Sequence, residues 1–122
     1  MRKDDLLQVG KRPVEKVEVE GVGECWFRQP SAGEWEPVMT GLCTFHRESG
    51  GVGVPSSKLM AKAVAAVLAN PDGSVMFKER EQDKLLEMAP ETLAHLFSAA
   101  MEHCYALQEV PEKKEKSARV NT

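Results

Sequence analysis

Residues 58–69, KLMAKAVAAVLA, carry charge only at Lys58 and Lys62. Met60, Val64, Val67 and Leu68 fall on one stripe with Leu59 and Ala63 beside it, so the spacing predicts a helix buried over much of its surface. Asn70 can take the left-handed conformation that closes a helix, Pro71 cannot continue one, and Asp72-Gly73 completes a tight turn. The chain has 122 residues and no apolar run near the roughly 20 needed to span a bilayer, so one domain with one modest core is expected.

Two further patterns fix the fold class. In VEKVEVEG, from Val14, the valines at 17 and 19 alternate with Glu18 and Glu20, the period of a half-buried strand. GVG at 21–23 then supplies a turn, and ECWFRQP is aromatic and β-favouring, so the two runs read as a hairpin. Downstream, Ser31 and Glu34 have capping-box spacing, and Trp35, Val38, Met39, Leu42 and Phe45 recur at helical steps. Pro37 and the glycines at 33 and 41 weaken that helix, which is expected to start late or to kink. ESGGVGVPSS at 48–57 is a loop. SVMF reads as a short extended piece, KEREQDKLLEM as a charged helix with Leu85, Leu86 and Met88 inward, and a last helix begins at Pro90 with Leu93, Leu96, Phe97, Met101 and Cys104 on its face. The expected class is α+β, mainly helical, with an N-terminal β-hairpin followed by three or four helices. Residues 1–13 are expected to be a flexible segment or short docking turn, 14–108 a single domain, and 109–122 a disordered charged tail.

The net charge of −3 offers no basic field for phosphate backbones, which argues against nucleic acid as a partner. Three separated cysteines, Cys25, Cys43 and Cys104, fit reduced thiols rather than a disulfide framework. MRKDDLLQVGKRP lacks the apolar core of an export signal, so neither export nor membrane association is expected.

Few residues are placed for chemistry. A calcium loop at Asp72 would need alternating oxygen ligands, but Val75, Met76 and Phe77 fill those positions with carbon. Cys43, His46, His103 and Cys104 can be drawn as a zinc site, yet His103 and Cys104 are adjacent and point about 100° apart on a helix. A buried Cys104 and a solvent-facing His103 account for the same residues. Cys25 has no histidine near it in sequence, SGGVGVPSS lacks the lysine of a phosphate loop, and the carboxylates of KEREQDKLLE alternate with cations as on a solvated face. No enzyme activity, metal or other cofactor is expected. What remains is apolar surface rich in Met, Leu and Ala, suited to adaptable protein binding.

The order of elements, VEKVEVEGVGECWFRQPSAGEWE, then a small-residue-rich helix, then VLANPDGSVMFKEREQDKLLEMAPETLAHLFSAAMEH, resembles the tail assembly chaperones of long-tailed phages and prophages. The resemblance spans roughly residues 14–107 and is sharpest from Asp72-Gly73 to Phe77, while Pro37 departs from the family's unbroken helix. It implies a non-catalytic protein of the host bacterial cytoplasm, absent from the mature virion, that coats the tape measure protein, keeps it soluble and helps recruit subunits of the major tail tube protein. Self-association is compatible with such a surface. Trp35, Met39, Met60 and Val64, on either side of the glycine loop, are the expected partner contacts, and Asn70, Pro71, Asp72, Gly73 and Phe77 the expected structural hinge. The alternatives are a tail or head-tail connection protein retained in the particle, or a small regulatory binding protein.

Overall fold

A computed structural model describes residues 1–104. The expected tail at 109–122 and the end of the expected domain lie outside them. The order is α1 (Lys3–Gln8), β1 (Glu15–Val19), β2 (Gly23–Phe27), α2 (Ala32–Ser49), α3 (Ser57–Val67), β3 (Leu68–Ala69), a 3-10 segment (Glu79–Glu87), and a helix α4 that starts at Pro90 and continues to 104. The class is α+β, mainly helical, with the hairpin near the N-terminus.

The hairpin follows from the alternation. Val17 faces Cys25 and Val19 faces Gly23 across the antiparallel pair, so Val17, Val19, Cys25 and Phe27 share the core side. On the other side Lys16 pairs with Trp26, lying 5.9 Å from its ring centre, and reaches Glu24 at 3.6 Å. At the turn, Gly21 has φ +80° and lies against α4, where His95 Nδ1 donates to the Glu20 carbonyl at 2.6 Å. A Cβ on Gly21 would lie 2.6 Å from that same nitrogen. Gly21→Ala is therefore expected to cost about 1–3 kcal/mol through the left-handed backbone and the displaced imidazole. Urea titration checks it, and adding His95→Ala should recover the steric part and leave the backbone part.

A third strand joins the sheet. Leu68 and Ala69, expected to end the buried helix, are instead extended and pair with Phe27 and Trp26, so the strand order is β1-β2-β3. The helix stops at Val67, whose carbonyl accepts from Arg28 N–H at 2.8 Å. The sheet edge thus takes backbone groups that a longer helix would have used.

α2 begins at Ala32, without the late start expected from Pro37. Ser31 Oγ accepts from Glu34 N–H at 3.2 Å and Glu34 Oε1 accepts from Ser31 N–H at 2.8 Å, a reciprocal cap that secures the first turn. Pro37 then removes one bond, the one to the Gly33 carbonyl, and α2 continues through it to Ser49. Gly41 has a packing role. A Cβ there would sit 2.6 Å from Leu59 Cδ1, so the missing side chain is where α3 approaches α2. α2 closes on Gly50 at φ +70°, and Ser56 caps α3 by accepting from Leu59 N–H.

α3 is the centre of the fold, with Met60, Ala61, Ala63, Val64, Ala65 and Val67 buried. It packs against α2 and against the 3-10 segment, while Val19 and Phe27 of the hairpin and Leu93, Leu96, Ala100 and Cys104 of α4 complete the same core. The charged run expected as a helix is wound as 3-10 over Glu79–Glu87. Only Leu85 is fully buried there, with Leu86 and Met88 packed partly against the core. One deep anchor does not demand the α-helical stripe, and Glu81 closes the first turn by accepting from Lys78 N–H.

Candidate partner-binding surface

Burial divides the four expected contact residues. Val64 is 1% exposed, and Trp35 and Met60 are 6% and 8% exposed, all within the core cluster. Their stripe spacing is that of core residues, and in this conformation Met60 and Val64 offer no surface to a partner. Met39 is half-buried. It lies on an open cleft of about 590 Å³ with Pro30, Ala32, the edge of Trp35 and Cys104.

At the expected hinge the chain is tied by local hydrogen bonds. Asn70 N–H donates to the Ser74 carbonyl, Gly73 N–H to the Asn70 carbonyl, and Asn70 Nδ2 to Ser74 Oγ, at 2.9, 2.9 and 3.0 Å. Asp72 Oδ1 accepts from both Ser74 N–H and Ser74 Oγ at 2.8 and 2.6 Å. These two bonds, the hydroxyl first, hold the Asp72 carboxyl below its ordinary range. Pro71 and Gly73, at φ +92°, complete the turn, and an antiparallel bridge from Ala69 to Val75 closes it. Phe77 packs partly into the core just beyond. The corner is a hydrogen-bonded clasp between β3 and the 3-10 segment.

Cysteine and histidine chemistry is dispersed. Cys43 is exposed, and burial pushes the Cys104 thiol up to about 11, away from thiolate chemistry. Burial, with Glu18 adding to it, also raises Cys25. Among the described residues no three His, Cys, Asp or Glu side chains come together as a metal site. His103, expected to face solvent, has a side chain only 10% exposed and stands edge-on to Phe27 with ring centres 5.6 Å apart. The helical stripe that buries Cys104 also turns its neighbour toward the hairpin.

Burial lowers the His103 pKa, and the Glu15 carboxylate at 4.0 Å, half exposed and screened, does not offset it. A histidine depressed in the folded state binds fewer protons there than when unfolded, so its contribution is present above the ordinary value of 6.5 and is lost as pH falls through the folded value. Stability by urea titration is expected to decline below pH 6.5, and His103→Phe should flatten that part of the profile.

Sequence spacing did not single out α1. Its six residues have no buried member, and Leu6, Leu7 and the following Val9 are 62%, 60% and 62% exposed. The segment expected to be flexible or a short docking turn holds a helix whose apolar side chains have no partner among the described residues. Four residues past its end, Arg12 N–H donates to Gln29 Oε1 at 2.9 Å, and Gln29 lies on the rim of the Met39 cleft. The adjacent leucine pair in a charged leader was the available signal, too short for periodicity to register.

No family model matches the chain, and no curated protein or solved structure matches it. Among the described residues no helix is long and apolar enough to cross a membrane.

Proposed function

We propose that the protein is a tail assembly chaperone of a long-tailed phage or prophage, a non-catalytic binding protein that holds the tape measure protein soluble and helps recruit tail tube subunits. The reading rests on the resemblance over residues 14–107. The observation that carries the binding part of it is the exposed apolar face of α1, where Leu6, Leu7 and Val9 lie outside the core. Large apolar side chains left in water at adjacent positions favour a partner that covers them. A long apolar helical client suits this pattern, because several modest apolar contacts can hold it and still be exchanged when tube subunits arrive. Such a protein acts in the host cytoplasm and leaves before the virion is complete.

Co-expression with a fragment of the tape measure protein tests the reading. The expected result is that the fragment is recovered soluble only with this chain and that the chain is absent from purified virions by mass spectrometry. Recovery of the fragment unaided, or stoichiometric amounts of the chain in particles, overturns it, the latter in favour of a structural tail protein.

A further inference from the structure

We propose that a second cleft, between the β2–α2 connection, α3 and residues 75–82, is a docking site for a partner peptide that presents an Asp or Glu carboxylate beside a bulky apolar side chain. The cleft encloses about 450 Å³, within the range of ligand-sized pockets. Its walls are of two kinds. Ala66, Val75 and Phe77 supply apolar surface above the buried Ala65, while Arg28, Lys62 and Lys78 supply positive charge.

The charge is only partly neutralised within the cleft. Glu34 lines it but is already engaged, with one oxygen 2.7 Å from Arg28 Nη2 and the other accepting from Ser31 N–H at 2.8 Å. Arg28 holds the Glu34 carboxyl below its ordinary range. Among the described residues, Lys62 and Lys78 have no carboxylate within 4.0 Å, and neither does the guanidinium of Arg28 beyond Glu34. Glu79 is the one other carboxylate on the wall, so Arg28, Lys62 and Lys78 stand against Glu34 and Glu79, and Lys78 also acts on the Glu81 carboxylate just outside the lining. Arg28 Nε is also buried without an acceptor. In a chain of net charge −3 this is a local excess of positive charge, and it surrounds an apolar floor. A single carboxylate with an apolar neighbour matches both walls at once. A polyanion matches only one, and the acidic remainder of the chain repels it.

The site stands on its own residues and does not depend on the tail-assembly reading. The test is an NMR titration of the full-length, ¹⁵N-labelled chain with acetyl-Leu-Glu-Phe-amide, with acetyl-Leu-Gln-Phe-amide, and with inorganic phosphate. The expected result is a saturable shift at Ala65, Ala66, Phe77 and Lys78 with the Glu peptide, about tenfold weaker with the Gln peptide or with the Lys62→Gln/Lys78→Gln variant. Both lysines are solvent-exposed, so the variant should keep the native spectrum. Glu79→Gln is expected to tighten binding. Equal affinity for the two peptides, shifts centred elsewhere, no saturable shift, or binding of phosphate alone overturns the proposal. A saturable shift alongside a failed co-expression assay would leave the cleft standing and remove the chaperone.

Discussion

Phe27→Ala is expected to destabilise the domain by about 3–5 kcal/mol, the range for emptying an aromatic core site. Phe27 is 1% exposed and sits on the central strand, where it pairs with Glu15 on one side and Leu68 on the other. Its ring also meets His103 of α4 edge-on, so one side chain ties sheet, α3 terminus and α4 together. A small domain is stable by only about 5–15 kcal/mol, which makes this loss a large share of the total. The melting temperature should fall by more than about 10 °C, measured by circular dichroism. Phe27→Leu keeps most of the volume and should cost less than half as much. Similar losses in the two variants would mean that the ring's contact with His103, rather than volume, matters.

The hairpin and α2 were legible because their signals are local. Alternating valines fix the face of β1, and the Ser31–Glu34 pair marks the start of α2, where Pro37 had suggested a later one. β3 was not, because two residues carry no period, and Leu68-Ala69 fit a helix equally well until the edge of β2 is present to claim their backbone. The 3-10 winding of Glu79–Glu87 was hidden for a related reason. Leucines at 85 and 86 satisfy either screw, and only Leu85 is buried where the segment packs against α3.

The contact surface was less legible than the fold. A methionine or tryptophan on a helical stripe has the same spacing whether it faces a core or a partner, and Trp35, Met60 and Val64 proved to be core while Met39 stayed at the rim of a cleft. Gly41, read as a weakness in α2, marks the approach of Leu59. The three cations of the second cleft come from β2–α2, α3 and the approach to the 3-10 segment, places far apart in sequence that only the tertiary fold assembles.

Leu6→Asp/Leu7→Asp is expected to abolish recovery of the soluble tape measure fragment while leaving the fold unchanged. Both side chains are more than half exposed and α1 contributes nothing to the core, so replacing them should shift stability by no more than about 0.5 kcal/mol. Losing two desolvated apolar contacts at an interface centre, and placing two carboxylates there, typically removes about 2 kcal/mol or more of binding, enough to release a weakly held client. Met60→Asp and Val64→Asp provide the contrast. Each puts an unpaired charge into α3's buried face and should unfold the domain, so loss of binding there would come with loss of the folded spectrum. Lys84→Ala, on an exposed side chain 3.7 Å from Glu81, should change neither property. If the folded Leu6→Asp/Leu7→Asp variant still solubilises the fragment, α1 is not the contact, and the Met39 cleft, reached through Arg12 and Gln29, is the next surface to mutate.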